Sequence, residues 1–330
     1  MTRWLVRLAI VVLLGVILAV VAYPVTMMLT NPGPRDSEGW TLLATLPTAR
    51  GETAAAVAAD RLYVIGGLTG LGFEASDEVS VYEPAGNAWQ AGPPLPAARH
   101  HAAAVGLDGT VYVTGGGSAD GAPQETLWAL PTGAGGWQVH TPMPEERLGH
   151  RMLAIGGRLY VVGGIGGTGR VLVYDPATQT WSAAAEMPSP RDHIAAVAVE
   201  NEIWVIGGRS DGRNHARVDI YDPVADTWHE GPPLPEGTSG ASDAILDGVI
   251  YISGGEDPAV PGPVIDRHWQ LDTRQGEKAT WEPMLAPPFA VHGAHGAAID
   301  EAFLIVGGAL RQGAFSRFAW TGATQAYEPP

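Results

Sequence analysis

The sequence contains no cysteine, and this absence excludes several kinds of chemistry at once. Disulfide bonds, thiolate nucleophiles, cysteine-ligated zinc and a lipid-modified N-terminal cysteine all need a thiol. Basic residues are also scarce, with 19 Lys and Arg against 35 Asp and Glu. The resulting net charge of −16 argues against nucleic acid as a general electrostatic partner.

Glycine, proline and apolar residues are abundant by contrast. The 330 residues include 44 Gly and 27 Pro, and 45% of the chain is hydrophobic. A chain of this length and composition can bury a substantial core. Frequent turn residues between apolar runs favour many short strands over helices.

The N-terminal segment carries a membrane signal. Arg3 and Arg7 precede an uncharged run over residues 8–30. A run longer than about 20 apolar residues can span a bilayer, and the preceding positive charge would keep that end cytoplasmic. We therefore predict a signal-anchor helix at residues 1–30, a linker at 31–39 and a single-pass membrane protein with an extracytoplasmic body. The alternative is a cleaved signal peptide and a secreted protein.

A register of tryptophan, proline and glycine repeats through the rest of the chain. Six tryptophans lie 44–53 residues apart, at Trp40, Trp89, Trp137, Trp181, Trp228 and Trp281. A glycine pair begins 26 residues after each one, and a proline stands seven residues after each one. Self-similarity at this period is the signature of a repeat architecture.

Each repeat contains four short apolar runs separated by turn residues. In the first repeat these runs are AAAVAA, RLYVIGG, EVSVYEP and AWQAGP. Four short strands per unit are typical of propeller blades, in which radial repetition leaves only short sheet edges. Six repeats therefore predict an all-β, six-bladed β-propeller over residues 40–330.

The repeat motifs resemble those of the kelch repeat family. The segments YVVGG (160–164), VYDPATQTW (173–181) and WQAGPPLPAAR (89–99) match its patterns. The fifth repeat departs from them with LDT (271–273) in place of YDP, and the sixth has Leu304 in place of the tyrosine. The resemblance covers residues 40 to about 328 and implies the propeller fold, whereas its motifs indicate function only weakly.

A propeller must join its first and last blades. The segment at Trp40 precedes the first blade's own first strand, which predicts that it pairs with the last blade as a fourth strand. The alternative closing segment is AYEPP at the C-terminus, because Tyr327 follows Trp320 by the seven residues that separate Tyr174 from Trp181.

Arginine and histidine recur just after the proline of the repeat. Four repeats have an arginine ten residues after the tryptophan, and six of the ten histidines lie 11–14 residues after a tryptophan. The kelch resemblance implies that this segment reaches the mouth of the central channel. The predicted ligand-binding residues are Arg50, Arg99, His101, Arg147, His150, Arg191, His193, His292 and His295.

Such a basic arc suits a carboxylate, sulfate or phosphate, since guanidinium is a planar donor with two prongs. The alternative is that the arginines belong to the repeat scaffold and bond to carbonyls or carboxylates while the histidines pack. Loops 209–217 and 256–266 are candidate rim contacts. His100 and His101 could bind a metal only with ligands from other blades, so we predict no metal or other cofactor.

Three functions compete at this point. The leading hypothesis is a membrane-tethered binding module for an anionic glycan, peptide or protein surface. A sugar epimerase or mutarotase is the second, by resemblance to the bacterial sialic-acid epimerases, with His150, His193 or His295 and Glu256 as acid–base candidates. A structural part of an envelope complex is the third. Copper radical oxidase chemistry, as in galactose oxidase, is excluded because it needs a cysteine.

Overall fold

The short apolar runs of the sequence form strands of two to seven residues in the structure, a computed structural model. It describes residues 31–167, 169–259 and 263–329. Pro34–Pro330 is one compact unit, and of the shorter unit, Met1–Gly33, only residues 31–33 are described. Strands dominate because β-branched and aromatic residues alternate between short turns.

The first three blades follow one another along the chain, after a single leading strand, β1 (Trp40–Leu42). Blade 1 comprises β2 (Ala54–Ala58), β3 (Arg61–Ile65), a small hairpin of β4 (Leu68–Thr69) and β5 (Glu74–Ala75), then β6 (Val79–Glu83) and β7 (Ala88–Ala91). Blade 2 comprises β8 (Ala103–Leu107), β9 (Thr110–Thr114), β10 (Leu127–Pro131) and β11 (Gln138–Val139). Blade 3 comprises β12 (Arg151–Ile155), β13 (Arg158–Val162), β14 (Arg170–Asp175) and β15 (Thr180–Glu186).

The remaining blades repeat this order. Blade 4 comprises β16 (Ala195–Val199), β17 (Glu202–Ile206), a hairpin of β18 (Arg209–Ser210) and β19 (Arg213–Asn214), then β20 (Val218–Asp222) and β21 (Thr227–Glu230). Blade 5 comprises β22 (Ser242–Leu246), β23 (Val249–Ser253), β24 (His268–Asp272) and β25 (Glu282–Pro283). Blade 6 comprises β26 (His295–Ile299), β27 (Ala302–Val306) and β28 (Thr324–Tyr327), completed by β1. Short 3-10 turns span Pro84–Gly86, Thr273–Lys278 and Gly313–Phe318.

Within the described part of the chain, the blades are six four-stranded antiparallel sheets. The first strand of each blade contacts the first strands of both neighbouring blades, and β2 contacts β26, so the sheets close a ring around an axis. The predicted all-β, six-bladed propeller is confirmed.

Blade 6 combines strands from the two ends of the described chain. β1 pairs with β28 in the register Trp40↔Tyr327, and β28 pairs in turn with β27. The Trp40 indole donates a hydrogen bond to the Leu285 carbonyl at 3.0 Å and packs against the ring of Tyr327. These contacts join the start of the propeller to its last blade.

The apolar core lies between the blades. Among the described residues, each pair of neighbouring sheets shares one cluster of buried side chains. The cluster between blades 6 and 1, for example, joins Leu62 and Val64 to Leu304 and Val306. Because every blade buries both faces of its sheet in this way, the ring is held by hydrophobic packing around its whole circumference.

The predicted single-pass membrane localisation needs correction. In the three described ranges, no helix has the length and apolarity needed to cross a bilayer; the chain there forms strands and short 3-10 turns. The predicted anchor at residues 1–30 lies outside the described residues.

Candidate functional site

A closed ring of backbone hydrogen bonds surrounds the channel axis. One residue per blade contributes to this axial ring: Glu52, His101, Gly149, His193, Gly240 and Gly293. The N–H of each residue donates to the carbonyl of the residue before it at 2.8–2.9 Å, and the Glu52 N–H closes the circle on the Gly293 carbonyl at 2.6 Å. Every member is twelve residues after its repeat tryptophan.

The axial ring imposes a left-handed backbone on all its members. Their φ angles lie between 48° and 64°, a region that glycine adopts freely and other residues rarely enter. Three blades nevertheless place a side chain there, with φ of 51° at Glu52, 52° at His101 and 48° at His193. These side chains converge beside the axis, because the ring points all six positions inward.

The three side chains form one polar cluster. Nε2 of His101 lies 3.2 Å from Oε2 of Glu52, and the rings of His101 and His193 meet edge to face with centroids 5.0 Å apart. One donor atom from each of Glu52, His101 and His193 lies within 4.8 Å of the other two. Two imidazoles and a carboxylate at this spacing have the composition of a metal-binding site.

Charged residues from blades 4 and 5 surround this cluster. Arg209 donates hydrogen bonds to Nε2 of His193 at 3.0 Å, to Asp192 at 3.1 Å and to Glu256 at 2.6 Å. Asp192 also accepts a hydrogen bond from Nδ1 of His193. We call these residues, together with Glu52 and His101, the axial mouth. Its residues come from five chain segments, on blades 1, 2, 4 and 5, that meet only in the folded ring.

Burial and neighbouring charges shift the pKa values of Glu52 and His101 in the axial mouth. Burial acts to raise the pKa of Glu52, but the neighbouring His101, His193, His292 and Arg209 outweigh it and lower that pKa to about 2. Burial lowers the pKa of His101 to about 3, against the opposing attraction of Glu52. At neutral pH Glu52 is therefore a carboxylate, and His101 is a neutral imidazole.

His292 also faces the axial mouth. Its Nε2 donates to the Arg311 carbonyl at 2.8 Å, since a carbonyl can only accept. Its Nδ1 is buried without a hydrogen-bond partner and lies 3.6 Å from an oxygen of Glu52 and 3.6 Å from an oxygen of Glu256.

The four repeat arginines lie inside their own blades. Arg50 and Arg147 are fully buried, and Arg191 and Arg99 are 2% and 6% exposed. Each hydrogen bonds to backbone carbonyls of its own repeat, and Arg99 also lies over the Trp128 ring. Three of them pair with a carboxylate, at Glu78, Glu145 and Asp219. The charges of Arg50, Arg147 and Arg191 are therefore neutralised within their own blades, whereas Arg99 is held by carbonyl and aromatic contacts without a carboxylate among the described residues.

The histidines that the sequence selects divide into two groups. His101, His193 and His292 belong to the axial mouth or face it. His150 is buried, with Nε2 3.0 Å from the Thr114 hydroxyl, and His295 contacts the guanidinium of Arg151. Burial lowers the pKa of His150 to about 3, and burial beside Arg151 holds the pKa of His295 well below its usual range.

A second polar group crosses the channel below the axial ring. Arg151 of blade 3 contacts Asp243 of blade 5 and His295 of blade 6. Arg151 and His295 line both a cavity of about 40 Å³ at the ring and a cavity of about 310 Å³ deeper in the channel. The deeper wall consists otherwise of alanine, glycine and larger aliphatic residues. The Arg151 group therefore lies where the two cavities meet.

Sequence reasoning missed Glu52, Arg151 and Asp243 and placed most weight on the arginines. The repeat spacing does contain a signal that could have identified Glu52. The position twelve residues after each repeat tryptophan is glycine in three repeats and Glu or His in the other three. A polar residue where sister repeats need glycine indicates a side chain retained in spite of backbone strain. His101 does have potential ligand partners from other blades, which is the condition for metal binding.

Comparisons with known proteins agree with this architecture. The KLHDC2/KLHL20/DRC7 Kelch-repeats domain model matches residues 51–233 and, in an overlapping match, residues 137–308. Kelch-like protein 35 of Homo sapiens is 41% identical over 172 residues, which are 52% of this chain and 29% of that protein. Its Mus musculus counterpart is 28% identical over 182 residues, again 52% of this chain and 29% of the relative. Kelch-like protein terF of Aspergillus terreus is 28% identical over 164 residues, 48% of this chain and 27% of that protein. The chain thus matches less than a third of the length of each of these relatives.

Proposed function

This chain belongs to the kelch-repeat family, and from that premise we propose that it is a non-catalytic module that binds a protein partner. The partner docks on the loop face, which we define as the face carrying the axial mouth and the loops between the second and third strands of each blade. A basic side chain of the partner enters the axial mouth. The observation that carries this proposal is the excess of carboxylates there.

The charge balance of the mouth favours a cation. Glu52, Asp192 and Glu256 contribute three carboxylates, and Arg209 contributes one guanidinium that is shared between two of them. His101 adds no charge at neutral pH because burial lowers its pKa to about 3. A lysine or arginine side chain complements such a partly buried acidic site.

The anionic ligand that the sequence favours loses its support in this arrangement. The hypothesis depends on four arginines, and all four are engaged within their own blades. The epimerase alternative needs an open acid–base pair, whereas Glu256 is bound to Arg209, and His150 and His295 are bound to Thr114 and Arg151. The proposal therefore keeps the binding function and reverses the charge of the ligand.

An aromatic patch on the loop face adds contact area for a protein partner. The Phe73 and Trp320 rings meet edge to face with centroids 5.7 Å apart, and the Arg317 guanidinium lies 4.7 Å from the Phe73 centroid. Leu71 beside them is 61% exposed. Trp, Phe and Arg are the residue types that anchor protein interfaces, so this patch suits a partner larger than a single side chain.

A peptide library tests the proposal. Each peptide has randomised flanks and one fixed central residue, which is Lys, Arg, Gln or Glu. We expect the full chain to enrich the peptides with a central Lys or Arg over those with a central Gln or Glu. Added salt should weaken the preference because the attraction is electrostatic. Glu256→Gln should reduce it, and Glu282→Gln, on the outer strand β25, is the matched control that should leave it unchanged.

Two outcomes contradict the proposal. A preference for a central Glu would restore the anionic ligand. Equal enrichment of all four residues would show that the mouth does not contribute to recognition, even if Trp320→Ala reduced binding to the loop face.

A further inference from the structure

The polar side chains of the axial ring carry an inference that does not depend on partner docking. We propose that Glu52, His101 and His193 bind one divalent transition-metal ion on the propeller axis, with zinc as the representative ion. The ligands come from three blades, so the site exists only when the ring is closed.

The donor set and its spacing fit such an ion. Zinc takes imidazole nitrogen and carboxylate oxygen at about 2.0–2.2 Å, and two ligands of a tetrahedral ion then lie about 3.3 Å apart. His101 Nε2 and Glu52 Oε2 are 3.2 Å apart, and one donor atom of His193 is within 4.8 Å of the donors on both. An ion held by these three residues would have three protein ligands, which leaves a fourth tetrahedral position for water.

The second nitrogen of each histidine already has the partner that a ligand needs. Arg209 donates to Nε2 of His193, which therefore carries a lone pair, and Nδ1–H of His193 donates to Asp192. Nδ1 of His101 lies 2.5 Å from Nδ1 of His100, which leaves Nε2 directed at Glu52. A carboxylate or other acceptor behind the ligating imidazole is the usual outer arrangement of histidine metal sites.

The backbone conformation of the axial ring gives a second, independent reason to place an ion there. A non-glycine residue in the left-handed region costs roughly 1–2 kcal/mol, and blades 3, 5 and 6 avoid that cost with glycine at the same ring position. The three strained positions are the three that supply the ligands.

His292 provides a third observation. Its Nδ1 has no hydrogen-bond partner, is buried, and faces oxygens of Glu52 and Glu256, each 3.6 Å away. A buried ring nitrogen without a hydrogen-bond partner therefore lies beside the carboxylate that would hold the ion.

Arg209 makes the proposal sharply testable because it competes with the ion. Its guanidinium occupies the lone pair of His193 Nε2 and adds positive charge to the mouth. Removing it should strengthen metal binding, whereas removing a ligand should weaken it. A histidine cluster that is merely structural would show no such opposite effects.

The experiment is a zinc titration of the chelator-stripped full chain by calorimetry, with cobalt absorbance as a second readout. We expect one zinc ion per chain and the strong visible absorbance of low-coordinate cobalt. His101→Gly and His193→Gly should each weaken zinc binding at least 100-fold, and Arg209→Gln should strengthen it several-fold. Glycine is the chosen substitute because three blades already carry it at this position, which preserves the backbone of the ring.

The controls separate the possible outcomes. His229→Ala removes an exposed histidine on β21 and should leave zinc binding unchanged. Equal zinc binding by the glycine variants and the original protein would overturn the proposal, and so would the absence of binding in a chain that melts normally. Zinc and a basic peptide side chain would compete for Glu52, so the peptide library is screened in excess chelator; failure of zinc binding then leaves the peptide preference at Glu256 unchanged and is distinguishable from failure of the proposed function.

Discussion

Blades 1, 2 and 4 differ from blades 3, 5 and 6 at one position of a ring that all six build in the same way. The first group carries Glu52, His101 and His193 there, and the second carries Gly149, Gly240 and Gly293. All six share a left-handed backbone and the same blade-to-blade hydrogen bond. The fold therefore requires the conformation and not the side chain, so the side chains are available for function.

The arginine position, two residues before the ring position in each repeat, shows the reverse: its side chain recurs because the fold needs it. There four blades have an arginine that is buried and bonded to its own blade. Repetition at that position reflects the scaffold, whereas variation at the ring position reflects the site.

The largest effect should come from the scaffold position. Arg191→Met removes one of the two arginine partners of the fully buried Asp219 and leaves only the part-exposed Arg217; it also leaves the Gly207 and Val205 carbonyls without their buried donor. We expect the free energy of unfolding, measured by urea denaturation, to fall by about 2–3 kcal/mol. Arg274→Met removes an exposed ion pair with Asp272 and should cause no measurable change. A stable Arg191→Met protein with impaired peptide binding would show that the arginine belongs to the site.

A smaller loss in the free energy of unfolding should follow when a side chain is added at the ring position of a blade that has glycine there. Gly240→Ala adds a Cβ whose nearest neighbour is the Gly293 nitrogen at 3.7 Å, so the added atom meets no clash. The remaining penalty is the left-handed backbone, about 1 kcal/mol in the free energy of unfolding. Urea denaturation measures it. A loss above about 3 kcal/mol would mean that ring glycines are required for packing and not for conformation alone.

The smallest effect on stability should come from the opposite exchange. His101→Gly relieves left-handed strain and loses the contacts with Glu52 and His193. These terms oppose each other, so we expect the free energy of unfolding in excess chelator to stay within about 1 kcal/mol of the original value. A large destabilisation would identify His101 as scaffold and would end the distinction between the two groups of blades.

The sequence predicts the scaffold more completely than the site. The spacing of Trp40 and the five later tryptophans to their glycine pairs is enough to predict six blades, because each repeat must place the same residues in the same packing positions. The roles of Arg147 and His150 do not follow from spacing, since two residues three apart can face a blade interior or a channel. Glu52 belongs to the site through contacts with blades 2 and 4, which only ring closure creates.

The most direct test of the central claim is the stability of a triple variant, Glu52→Gly, His101→Gly and His193→Gly, with and without zinc. In excess chelator the account predicts an unfolding free energy close to that of the original protein, because the ring backbone is retained. With free zinc at 100 times its dissociation constant, the original protein should gain about 2.7 kcal/mol and the triple variant should gain nothing. A triple variant that is unfolded in chelator, or that zinc still stabilises, would contradict the claim that these three side chains form a site on a ring that does not need them.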